Sequence, residues 1–246
     1  MFLQLFLASM TMTTGTGPMH AALEATEAPD TLRASFRVEL SSSTARHVYA
    51  FDPRLAPAER WQLVSRHGHD PELDAVARTW AAEAAPDGRL FPDQLRLCLG
   101  QTVDVNTDGA AWRVGFRHHT KHSDTEFDRW AAERLQATAW LDPVGERFLR
   151  IDYALPRPVN GPNGGRLVSY NQSYILHTEP RWGFSYVHGF RIELEARAAM
   201  RRIQRRYEAK VTDVQFFFAS PEAEAAFMAR ANPGMSLTAG LAAAGR

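Results

Sequence analysis

The sequence predicts an α+β, mostly β fold built on one large antiparallel sheet with a few covering helices. Three observations carry that expectation. Phe184 to Arg197 alternates, with Phe184, Tyr186, His188, Phe190, Ile192, Leu194 and Ala196 on one parity and Ser185, Val187, Gly189, Arg191, Glu193, Glu195 and Arg197 on the other. Side chains point to opposite faces along a strand, so this places most of the apolar mass on one face. One dry face and one wet face are typical of antiparallel sheets. Second, a unit of strand, Asp/Gly/Pro turn and strand recurs along the chain, which reads as successive hairpins. Third, Leu73, Val76, Ala77 and Trp80 are spaced three, four and three apart, the period of an amphipathic helix over 72–85.

The elements follow in chain order. Met1–Met10 carries Phe2, Leu3, Leu5, Phe6 and Leu7, far short of the roughly 20 apolar residues that span a bilayer. With the small and polar stretch Thr11–Gly17 and Ala21–Ala22 behind it, it resembles the apolar core of a signal peptide, although no Lys or Arg precedes Arg33. The expected organisation is a leader and linker over 1–30, one β-rich domain over 31–230 and a flexible tail over 231–246, in a periplasmic or secreted protein. A cytosolic leader is the alternative.

Leu32–Leu40, Arg46–Asp52 and Arg60–Arg66 read as strands, the second closed by Asp52–Pro53. Asp70 and Pro71 form an N-cap and first-turn pair for the helix, which Pro86–Asp87–Gly88 ends. Pro92–Leu97 reads as a further helical turn. Gln101–Asn106 and Ala111–His119 flank Asp108–Gly109 as a hairpin. Ser123–Arg129 fits either state. Glu133–Asp142 and Arg147–Leu155 alternate again, the first with Leu135, Ala137, Ala139 and Leu141 inward and the second with Leu149, Ile151, Tyr153 and Leu155. Pro156–Gly165 is a loop. Arg166–His177 turns Val168, Tyr170, Tyr174 and Leu176 to one face. Ala198–Phe218 fits both a strand whose phase slips near Asp213, as at a β-bulge, and a basic amphipathic helix. Its β-branched and aromatic end favours the strand. Ser220 caps a short helix over Glu222–Arg230.

Composition excludes several classes. Lys+Arg 28 balances Asp+Glu 28, so no global field argues for nucleic acid. The single cysteine, Cys98, can form neither an intramolecular disulfide nor a cysteine-ligated zinc site. Its neighbours Leu97 and Leu99 predict a buried thiol. No other stretch is apolar enough to cross a membrane, so the chain is not expected to be transmembrane. There is no Gly-x-Ser-x-Gly, and Asn163–Gly164–Gly165 lacks the Lys and helix of a phosphate loop. No cofactor and no catalysis are expected.

Tyr49–Ala50–Phe51–Asp52–Pro53, leading to Glu59–Ser65 and Gly68–His69–Asp70–Pro71, looks like a stretch of uncharacterised exported bacterial proteins. The Trp140–Leu155 hairpin, followed by long strands ending in Val211–Phe218, resembles the LolA/LolB-like lipoprotein-carrier superfamily. The resemblance covers roughly residues 32–218. It implies a strongly curved sheet forming an open half-barrel with helices over its concave face. It also implies a lipid, a lipoprotein or another apolar small molecule held there as acyl-chain cargo, with an envelope protein as possible partner and no enzyme activity.

Tyr170, Tyr174, Phe184, Tyr186, Phe190, Ile192 and Phe216 are the residues expected to line such a cavity, because ligand pockets are mostly apolar with a few polar groups. The competing reading is an ordinary packed core, leaving an interaction module that uses the wet face of the sheet or the Arg-rich stretch Arg197–Lys210. A third reading takes His118, His119, His122 and Asp124, with Glu126 and Asp128, as a metal-dependent enzyme site. The missing zinc motifs favour a solvated loop there. His67 and His69 read as surface residues, and His188 as a core histidine next to His177.

Overall fold

The computed structural model describes residues 18–92, 98–120, 126–161, 165–198 and 201–231. The chain is mostly β, with one antiparallel sheet of eleven strands that does not close into a barrel. In chain order the described elements are α1 (Pro18–Glu24), β1 (Leu32–Ser41), β2 (Arg46–Phe51), β3 (Trp61–His67), α2 (Pro71–Ala81) and a 3-10 turn (Pro86–Leu90). They continue with β4 (Leu99–Asp108), β5 (Ala111–His118), α3 (Glu126–Ala132), β6 (Gln136–Asp142), β7 (Arg147–Ala154) and β8 (Val159–Asn160). The last are β9 (Arg166–Thr178), β10 (Ser185–Ala198), β11 (Arg201–Phe218) and α4 (Pro221–Ala231). The spatial order is β3-β2-β1-β11-β10-β9-β7-β6-β5-β4, with the short β8 on β9.

Tight turns explain why neighbours in sequence become neighbours in the sheet. Gly109 adopts a φ of 62° between β4 and β5, and Gly183 a φ of 77° before β10, a conformation that costs glycine nothing. Asp70 extends its backbone, and its carboxylate accepts the Glu72 N–H at 2.9 Å. Pro71 then opens α2 where its missing N–H is harmless.

β11 joins the two halves of the sheet. Its ladder with β10 runs from Ala198↔Arg201 to Gly189↔Lys210, and its ladder with β1 from Ser41↔Glu208 to Leu32↔Phe218. Only Glu208, Ala209 and Lys210 are paired on both edges. Each half buries its own cluster. One gathers Phe36, Val38, Leu40, Phe51, Leu73, Trp80, Leu90 and Val211 beneath α2 and the 3-10 turn. The other gathers Ala22 of α1 with Val114, Phe116, Ala137, Ala139, Leu141, Phe148, Ile151 and Leu176.

Residues 1–30 are not all leader and linker. Pro18–Glu24 is helical, packs on β7 and buries Ala22 completely. Ala198–Phe218 is a strand over Arg201–Phe218, which rules out the basic helix. The expected phase slip is there: the β1–β11 register shifts between Ser35 and Arg37, and Asp213 takes a φ of 51°.

Three other irregularities break alternation that the sequence shows as unbroken. A shift at Trp140/Leu141 adds a residue to β7, so Phe148 is buried and Leu149 is 44% exposed. A shift between Glu195 and Ala196 turns Leu167 inward on β9 and leaves Val168 half-buried. A shift between Val187 and Gly189 buries Val187 on β10. Cys98 is half-buried, not fully buried. The expected turn over Pro92–Leu97 falls mostly outside the described residues, as do most of the tail and the second half of the histidine cluster.

Candidate functional site

The seam along β11 underlies the site. Leu40, Ala209 and Phe190 form one rung across β1, β11 and β10. Above that rung lies a cavity of ≈ 510 Å³, within the roughly 300–1,000 Å³ usual for ligand pockets. Its floor is Leu40, Val187, Gly189, Phe190, Ala209 and Val211, its far wall Tyr174, and its roof Val76 and Trp80 of α2 with Ala85 and Gly88–Pro92. Because the register shift flanks His188, Val187 and Phe190 line the same cavity despite their opposite parity.

Several buried polar groups around the cavity are matched, whereas the buried Nε1 of Trp61, packed on Trp80, has no hydrogen-bond partner. Trp80 Nε1 donates to the Pro86 carbonyl at 2.8 Å, fixing the 3-10 turn to α2. The buried Asp87 carboxylate accepts the Ala34 N–H at 3.1 Å, which ties the same turn to β1. Tyr170 donates to Gln172 Oε1, and Gln172 Nε2 donates to the Tyr174 hydroxyl. Burial pushes the Tyr174 phenol well above the ordinary tyrosine range. It also raises Tyr207, against the opposing pull of Arg89 and Arg205. Both rings therefore stay neutral at physiological pH. The charges in the lining are Glu83 and Arg89. Arg89 Nε donates to Glu83 Oε1 at 2.7 Å, and the guanidinium lies 5.2 Å from the Trp80 ring centroid.

Of the seven residues expected from sequence, Tyr174 and Phe190 line the cavity, with ring centroids 5.0 Å apart. Phe184 and Phe216 pack against Phe91 of the wall at 6.4 and 6.0 Å, and Tyr186 packs on Phe216 at 5.1 Å. Tyr170 sits beside the second cluster, linked through Gln172 to Tyr174. Ile192 pairs with Tyr207, itself a lining residue, two rungs from the Phe190–Ala209 pair. The roof escapes the sequence, because Ala85–Pro92 has no periodicity. The only signal is Trp80 on the apolar stripe of α2.

The histidines fall elsewhere. His118 lies 5.5 Å from Tyr153 by ring centroid, and residues 121–125 of its cluster lie outside the described residues. Among the described residues, no three His, Cys, Asp or Glu side chains are grouped to hold a metal ion. His177 and His188 stack at 3.9 Å with planes 7° apart. Burial, then the neighbouring His177 and Lys210, lowers the His188 pKa below the usual histidine range.

No family model matches this chain, and no curated protein or solved structure matches it.

Proposed function

We propose that the protein is a non-catalytic carrier that works in the cell envelope after export. It binds the acyl chain of a lipid or lipoprotein, or another apolar small molecule, in the cavity between α2, the 3-10 turn and the sheet. The observation that carries the reading is the cavity itself: a ≈ 510 Å³ space lined mainly by aliphatic and aromatic side chains. Apolar contact of this kind favours a ligand roughly in proportion to the area it removes from water. The Arg89–Glu83 pair at the cavity suits a polar head group on an otherwise apolar ligand. Because Ala22 is buried in the fold, processing upstream of Pro18 would keep α1 intact.

Native mass spectrometry of protein purified from its host envelope, followed by solvent extraction, tests this directly. A co-purifying lipid or acylated peptide is expected. A fluorescent fatty-acid probe should bind the stripped protein, and Gly88→Trp should weaken that binding at least tenfold. Gly88 is exposed at the cavity rim and a Cβ there meets nothing within 4 Å, so an indole adds bulk at the mouth of the cavity and leaves the backbone in place. A bare mass with no probe uptake would sink the carrier reading.

A further inference from the structure

Toward its start β11 becomes an edge strand. Its ladder with β1 stops at Ser41↔Glu208, while its ladder with β10 continues to Ala198↔Arg201. This edge arm, Arg201–Tyr207, is seven residues and about 23 Å long at about 3.3 Å per residue. The first six of them, Arg201–Arg206, are all exposed. Over residues 191–206 the two strands carry six arginines against two glutamates, in a chain whose formal net charge is zero.

The arrangement of these arginines is the telling part. Arg166 on β9 pairs with Arg197 on β10, and Arg197 pairs with Arg202 on β11. Like charges directly opposite on adjacent strands destabilise a sheet. Glu195 accepts from Arg202 at 2.9 Å and feels Arg197 at longer range, one carboxylate for the three guanidinium groups of the rung. Among the described residues, Arg166 and Arg197 have no ion-pair partner within 4 Å. Ile203, paired with Ala196, points to the opposite face.

We propose that this arm is a docking surface for an anionic phospholipid bilayer. The Arg166–Arg197–Arg202 rung, whose side chains share one face of the sheet, contacts head-group phosphates. Basic clusters gain from anionic leaflets, and guanidinium groups match phosphate geometry. The proposal does not depend on what fills the cavity.

Co-sedimentation of the full chain with vesicles tests it. Vesicles of phosphatidylcholine with phosphatidylglycerol should retain the protein, and vesicles of phosphatidylcholine alone should not. Raising salt should release it, as screening demands. Arg166→Glu with Arg197→Glu should weaken binding at least tenfold, and Ile203→Ser, on the opposite face, should not change it. Arg113→Glu, on a distant strand, should leave it unchanged. Far-UV circular dichroism checks that each variant folds, and the salt and composition dependence of the unmodified chain stands even where one does not. Equal retention by neutral vesicles, retention by neither, or undiminished binding of the double variant would overturn the proposal. Retention on a heparin column without retention on vesicles would overturn it in favour of a soluble polyanion. Because Gly88→Trp adds bulk only at the cavity mouth, its vesicle binding should match that of the unmodified chain, which separates the two functional readings.

Discussion

α1 packs on β7, and its fully buried Ala22 shares a cluster with Ala137, Ala139, Phe116 and Phe148. Under α2 the sheet presents Phe36 and Phe51 with Trp61 beside them, and the helix answers with Trp80. In the second half Phe36 and Trp80 stack at 5.8 Å, and Trp61 packs against both Tyr49 and Trp80. Small side chains let a helix backbone settle close to a sheet. Large rings hold it off, and what they do not fill stays open. Both halves bury rings, and both carry an opening: ≈ 510 Å³ under α2 and the 3-10 turn, and ≈ 850 Å³ beside Phe116 and Ala137. The difference lies in the site: Ala139 in the alanine half is completely buried and lines neither opening, whereas the roof over the first is set by Trp80.

The comparison can be broken from either side. Phe36→Ala should have the largest effect, since it removes a buried ring that touches Phe51, Trp61 and Trp80. A loss of about 3–5 kcal/mol is expected, read from urea unfolding. Next come paired additions of bulk. Ala139→Phe overpacks the alanine half and should cost about 1–3 kcal/mol. Gly88→Trp adds more volume on the cavity side and should change stability by less than about 0.5 kcal/mol, the range of substitutions that disturb no packing. If the two substitutions cost the same, the contrast between the two sites is wrong.

Asp70→Ala removes the carboxylate that caps α2 and should cost about 1 kcal/mol. It should also loosen the cavity roof, read as faster amide exchange in α2 with α1 unaffected. The smallest effect is a pH dependence. The His188 pKa is lowered in the folded protein, by burial first, so the unfolded chain binds its proton more readily. Stability should be at its full value above the unfolded histidine pKa of about 6.5. It should fall as pH drops below that, until His188 titrates in the folded state too. Urea midpoints at pH 7 and pH 5 should differ for the natural chain, and the difference should shrink in His188→Gln.

Strand existence was legible because alternation is a local property. So was α2, whose cap, first-turn proline and apolar stripe all lie within a dozen residues. The slip near Asp213 was legible too, since the apolar parity changes in the open. The bulges at Leu149 and His188 were not, because both flanking parities carry apolar residues, so the sequence offers no reason to prefer Phe148 over Leu149. Of the aromatic set, Tyr174 and Phe190 line the ≈ 510 Å³ cavity. Which of its members face empty space was decided by Pro86–Phe91, held by Asp87 to Ala34 from 53 positions away, a contact with no local signature. α1 was missed because a helix of seven residues with Ala22 and Leu23 as its apolar core reads as linker.

The double pairing of β11 is confined to Glu208, Ala209 and Lys210. The two halves of the sheet therefore share ladder bonds through three residues alone. Ala209 sits both on that seam and in the cavity floor, so any change in the angle between the halves would change the space between floor and roof.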